Sequence, residues 1–128
     1  MKYQHLIQIC EFLSKFRKIS SIKRIENTAI FIKFDGKFEL IFDLNKGNSS
    51  IYEANLSQIK THKAPFDIVL QKRFNNAKIL SIQVPPNNRI LHIKVCLEGS
   101  YKKMISNLYL EFTGRFTMRL LRTKKTLF

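Results

Sequence analysis

Two short segments of the 128-residue chain carry side chains of the kind that grips phosphate. Asn87-Asn88-Arg89 lies in a turn leading into an alternating apolar run. Leu110-Glu111-Phe112-Thr113-Gly114-Arg115 ends another such run and turns into the next. Arginine suits phosphate because its planar fork bonds two oxygens at once. Gly114 admits a left-handed or bulged backbone, which would present Arg115 and the neighbouring N–H groups. Each arginine also has a plainer reading: Arg89 in a surface ion pair with Glu111, and Arg115 in solvent. The candidate binding residues are Asn88, Arg89, Gly114 and Arg115.

Nothing else in the sequence has diagnostic spacing. His5, His62 and His92 are scattered, with no cysteine or carboxylate at metal-ligand spacing. Four glycines leave little material for a phosphate-cradling loop. Glu26, Glu39, Asp43, Glu53, Asp67, Glu98 and Glu111 read as solvated surface carboxylates. The expectation is a non-enzymatic domain without metal or cofactor. The charge is more informative: 23 Lys and Arg against nine Asp and Glu give +14, with a pI near 10.1. Such a field concentrates polyanions, so nucleic acid, a ribosome or an anionic membrane surface are the natural partners. A solvated lysine-rich surface from an AT-rich genome is the bland alternative. Residues 1–16 mix polar and apolar positions, with no continuous apolar leader and no stretch of membrane-spanning length. Cys10 and Cys96 fall at apolar positions and read as buried free thiols. A cytoplasmic protein is expected.

The elements that must hold these residues follow from periodicity. Leu6, Ile9, Cys10, Leu13 and Phe16 recur at helical spacing. Alternation begins after Ser20-Ser21. Ile30, Ile32 and Phe34 are followed by the hairpin signal Asp35-Gly36, and then by Phe38, Leu40 and Phe42. Turn chemistry at residues 45–50 precedes a short strand at Ile51-Tyr52, and residues 55–64 form a polar connector. Pro65 opens a second helix at its first position, with the stripe Phe66, Val69, Leu70 and Phe74, and Asn75-Asn76 ends it. Strands follow at Ile79–Val84, Ile90–Val95, Leu108–Phe112 and Phe116–Leu120, with a turn at residues 85–88 and a connector at Gly99-Ser100. Arg119, Arg122, Lys124 and Lys125 form a basic stretch that is either a backbone-binding edge or a frayed tail, with the tail favoured because termini are usually mobile.

The two passages resemble each other. Ser21-Ile22-Lys23 through Ile30–Phe34 lines up with Ser81-Ile82-Gln83 through Ile90–Val95, at an offset of 60 rising to 61. The expected architecture is α+β: helix–strand–strand–strand taken twice, in halves about 1–54 and 64–122. The strands build one antiparallel, sandwich-like sheet flanked by helices. The whole of 1–128 reads as a single domain.

The Ala64-Pro65-Phe66 helix start, the turn ending in Arg89-Ile90 and the Glu111-Phe112-Thr113-Gly114-Arg115 run resemble the N-terminal domain of the NFACT family. These are the bacterial fibronectin-binding-protein-A-like, or RqcH, ribosome quality-control proteins. The resemblance implies a fold similar to the N-terminal domain of formamidopyrimidine-DNA glycosylases, without their Pro-Glu catalytic start, since this chain opens Met1-Lys2-Tyr3. It implies a module that contacts tRNA and the large ribosomal subunit, ahead of downstream domains of the same protein, so that the chain is a fragment of a longer one. The family's Asp-Arg pair matches Asn88-Arg89, and its Gly-Arg pair matches Gly114-Arg115. Met118 stands where the family usually carries Asn, and Ser50 aligns near a family Arg. The alternative functions are a fibronectin-binding, adhesin-like module and a non-catalytic structural scaffold.

Overall fold

The computed structural model describes residues 2–26, 29–35, 38–44, 49–53, 64–86, 88–98, 103–112 and 118–122. Their order is α1 (Tyr3–Leu13), β1 (Lys18–Glu26), β2 (Ala29–Phe34), β3 (Glu39–Asp43), β4 (Ser50–Glu53), α2 (Pro65–Phe74), β5 (Ala77–Gln83), β6 (Ile90–Glu98), β7 (Lys103–Glu111) and β8 (Met118–Arg122). The strands form one antiparallel sheet of eight, ordered β4-β3-β2-β1-β5-β6-β7-β8. Each half is therefore a helix followed by four strands, not three. The first strand of each half, β1 or β5, meets its counterpart at the centre of the sheet.

Register ties the halves together. In β1–β2, Ser21 faces Lys33 and Ile22 faces Ile32; in β5–β6, Ser81 faces Lys94 and Ile82 faces Ile93. The first strands are offset by 60 (22 to 82) and the second by 61 (32 to 93). Even the irregularity is repeated. A register shift falls between Ile19 and Ser21, and again between Ile79 and Ser81, leaving one extra residue at the same place in each first strand, and β1 has a second shift between Arg24 and Glu26. Such bulges bend a strand and steepen its twist. The bulge residue Leu80 is 45% exposed.

One apolar cluster fills the inner face. It takes Ile22, Ile30, Ile32, Phe34, Leu40 and Phe42 from the first half and Ile82, Leu91, Ile93, Val95, Leu108 and Leu110 from the second. Leu6 and Leu13 of α1, and Leu70 and Phe74 of α2, complete it. Burying each such side chain contributes roughly 1.5–3 kcal/mol. Beyond α1, Phe16 stacks on Phe34 at 4.9 Å and on Phe38 at 5.4 Å, holding the helix exit against the β2–β3 hairpin.

The helices cross over. α2 packs against β1, and α1 approaches β5, so each covers the other half's first strand. Asn75, at the C-cap of α2, accepts the Ile22 N–H at 2.9 Å through Oδ1, while the Cys10 thiol of α1 donates to the Ile82 carbonyl at 3.3 Å. Asn76 then takes φ 63°, a left-handed stop that Asn tolerates, as the sequence predicts for this helix end.

The α2 stripe departs from expectation. Val69 is 39% exposed and Asp67, expected in solvent, is fully buried. Arg24, on the inner face of β1, explains this: its Nε and Nη2 donate to Asp67 Oδ1 and Oδ2 at 2.7 and 2.9 Å. Asp67 Oδ2 also accepts the Ala64 N–H at 3.1 Å, satisfying an orphan donor at the helix start. The bidentate carboxylate pushes the Arg24 guanidinium pKa up from its ordinary value. Arg119 lies in β8, within the strand expected at Phe116–Leu120, and Arg122 departs from the tail reading by lying at the end of the same strand. The 55–63 connector, Gly99-Ser100, Lys124 and Lys125 lie outside the described residues.

Two outcomes follow. Arg24→Ala strands a buried carboxylate and is expected to lower stability by about 3–5 kcal/mol in urea unfolding, whereas the double change Arg24→Met with Asp67→Leu recovers most of it. Burial pushes the Cys10 thiol up from its ordinary 9.0, so the neutral thiol is the favoured folded form. Its contribution is complete below the unfolded pKa and fades as pH rises through the folded one. Stability curves of the wild type and Cys10→Ala should therefore converge above about pH 9.

Candidate functional site

The two arginine-bearing segments meet at one end of the sheet. The chain leaves β5, turns through Pro85-Pro86 with the Asn88 N–H donating to the Pro85 carbonyl at 3.2 Å, and enters β6 at Ile90. Asn88 and Arg89 are exposed. Ile90 faces Glu111, and the Phe112 N–H donates to the Arg89 carbonyl at 2.7 Å. Phe112 is buried in the core, so its side chain anchors the strand end while its backbone holds Arg89. β8 returns at the same end, with Met118 facing Leu110. Glu111 is half-buried, and its Oε2 has no hydrogen-bond partner among the described residues. Gly114 and Arg115, three residues beyond Phe112 at the latter, lie outside the described residues.

Register defines the face of the sheet opposite the helices, because paired residues share a face. One row runs Gln83–His92–Tyr109–Arg119 across the second half. The His92 and Tyr109 rings stack at 4.5 Å and 7°, and His92 Nε2 lies 2.7 Å from Asn107 Oδ1. The matching row in the first half is Lys23–Phe31–Ile41–Tyr52. The next row carries lysine in both halves: Ser21–Lys33–Glu39 and Ser81–Lys94–Asn107. At the centre, Lys18 faces Lys78 across the β1–β5 seam.

Sequence reasoning marked the sheet end but missed this face. Individual lysines in alternating runs look like solvated positions. Only the pairing of β1 with β5 brings Lys18 opposite Lys78, and no local pattern encodes that pairing. Among the described residues no group of three or more His, Cys, Asp or Glu could hold a metal ion, and no helix is long and apolar enough to cross a membrane.

No protein-family model matches the chain, and no curated protein matches it. Solved structures do. The N-terminal domain of the fibronectin-binding protein PavA from Streptococcus pneumoniae matches with TM-score 0.76 at 20% identity, over 96% of this chain and 49% of that one. The N-terminal part of the fibronectin/fibrinogen-binding protein from Streptococcus suis matches with TM-score 0.77 at 17% identity, over 95% and 48%. The fibrinogen-binding protein from Staphylococcus aureus matches with TM-score 0.72 at 17% identity, over 95% and 45%. At these identities the likeness is one of fold: the chain has the α+β fold of PavA-like N-terminal domains. It spans about half the length of each solved chain.

Proposed function

We propose that this domain binds the phosphodiester backbone of RNA, as the tRNA- and large-subunit-contacting module of a ribosome quality-control factor of the NFACT type. The observation that carries the reading is the Phe112-to-Arg89 bond, which joins two separately recognised basic segments at one sheet end of a chain with net charge +14. Arg89 is exposed there, and the chain runs on from Phe112 to Gly114-Arg115. An exposed guanidinium at Arg89 would grip phosphate oxygens and leave bases unread. The reading assigns the domain no catalytic step and no cofactor, takes its scaffold as shared with glycosylase N-terminal domains, and places it in the cytoplasm.

A second reading has its own support. The three solved neighbours are named for binding fibronectin or fibrinogen, and those names favour a module that binds such a protein over a ribosomal one.

One experiment separates them. Binding to bulk tRNA, to large ribosomal subunits and to immobilised fibronectin is measured across a salt series. The RNA reading expects log affinity to fall linearly with log salt, since counterions are released from neutralised phosphates. It also expects Arg89→Ala and Arg115→Ala each to weaken RNA binding by about 1 kcal/mol or more. Saturable fibronectin binding with no RNA binding at low salt rejects the first reading in favour of the second.

A further inference from the structure

We infer that the sheet face opposite the helices carries a second RNA-backbone site, a lysine cluster disposed about the axis that relates the two halves. The inference rests on the RNA-binding reading above, but concerns different residues.

Lys18 and Lys78 face each other across the β1–β5 seam, and they are repeat mates, 60 positions apart. Directly opposed side chains have Cβ atoms about 4.5–5.5 Å apart, and like charges so placed repel. Both lysines are exposed. Lys33 and Lys94 are the next repeat mates, 61 positions apart, on the same face and half-buried. Lys94 is diagonal to Lys78, whose direct partner on β6 is Cys96. The two halves thus place four lysines on one face, Lys18 and Lys78 at a repulsive centre and Lys33 and Lys94 flanking it. A polyanion laid across the seam would relieve that repulsion, and the roughly regular spacing of phosphates suits such a track.

The acids near this face are unevenly placed. Lys33 faces Glu39, but at the corresponding position Lys94 faces Asn107, a neutral amide. Asp35 lies on the Lys18 side, accepting the Arg17 N–H at 3.2 Å through Oδ1. Glu98 faces Lys103, further along β6. Glu111 and Asp43 share the face, each two rows from the lysine of its half. Next to the lysines themselves, the Lys78–Lys94 side is the more electropositive. Beside it stand the His92 and Tyr109 rings, whose stack offers an apolar surface next to the charged track. A folded protein ligand would need a complementary acidic relief. A flexible polyanion needs only the row of charges.

The test uses the intact chain and bulk tRNA in a salt series, with urea unfolding of every variant. Lys78→Ala with Lys94→Ala is expected to weaken tRNA binding roughly tenfold or more, and to flatten the log–log salt slope by about 1.4–1.8, the change expected from two lost phosphate contacts. Lys18→Ala with Lys33→Ala should cost less, because Glu39 and Asp35 already temper that side. Glu39→Gln should tighten binding a few-fold. Lys78→Ala alone should leave stability unchanged or raised, since it removes a like-charge pair, so that its weaker binding is not a folding defect. Unchanged tRNA affinity in all lysine variants, with Arg89→Ala still impaired, overturns the cluster and leaves the RNA reading standing. Absence of tRNA binding by the wild type at low salt overturns both. Binding of the wild type to phosphatidylserine vesicles but not to tRNA, lost in the same lysine variants, overturns RNA as the occupant.

Discussion

The whole structure depends on a short antiparallel contact at its centre, where Lys18-Ile19 meets Ala77-Lys78. On either side, each half is a self-paired ladder whose register is set by its own alternation. The seam turns two four-stranded units into one sheet, and the helices secure it by crossing. Because α2 lies on β1 and α1 reaches β5, neither half buries its own first strand with its own helix. The Ile22-to-Asn75 and Cys10-to-Ile82 bonds are the polar expression of the same exchange. Both halves must be present for either to close its core.

Much of this was legible in the sequence because it is local. Alternation at Ile30–Phe34 and Ile90–Val95 specifies strands whose inner faces are apolar, and a one-residue slip would turn each set outward. The shared offset of 60 and 61 reappears in the ladders for that reason. The Asn75-Asn76 stop and Pro65 at the first turn were readable from their backbone preferences. What escaped was non-local. β1 carries Ser20, Ser21 and Lys23 and looks half-polar, since a bulge offsets its pattern and its outer face is charged, so the first strand of the first half was missed. Asp67 was taken for a surface acid, because the arginine that pairs with it in the interior lies 43 positions earlier. Of the candidate site, the sequence marked the Arg89 turn and the strand end at Phe112 separately, and their backbone bond appears only in the fold, while the lysines across the seam depend on a pairing between halves.

Charge and architecture are linked through the seam. Strands that meet there bring together whatever they carry outward, here lysine on lysine. Corresponding rows of the outer face differ in chemistry between the halves, Phe31–Ile41 against His92–Tyr109 and Glu39 against Asn107, while both halves contribute apolar side chains to one core.

The Arg24–Asp67 pair has no mirror image. Related positions in the opposite half, Val84 and Leu6, are both apolar, and Leu6 is as fully buried as Asp67. The two halves share a topology but not this pair. Seating α1 over β1 would set Leu6 against Arg24 and part the guanidinium from Asp67, at a cost of several kcal/mol. The pair thus favours the crossed arrangement of the helices that the structure shows.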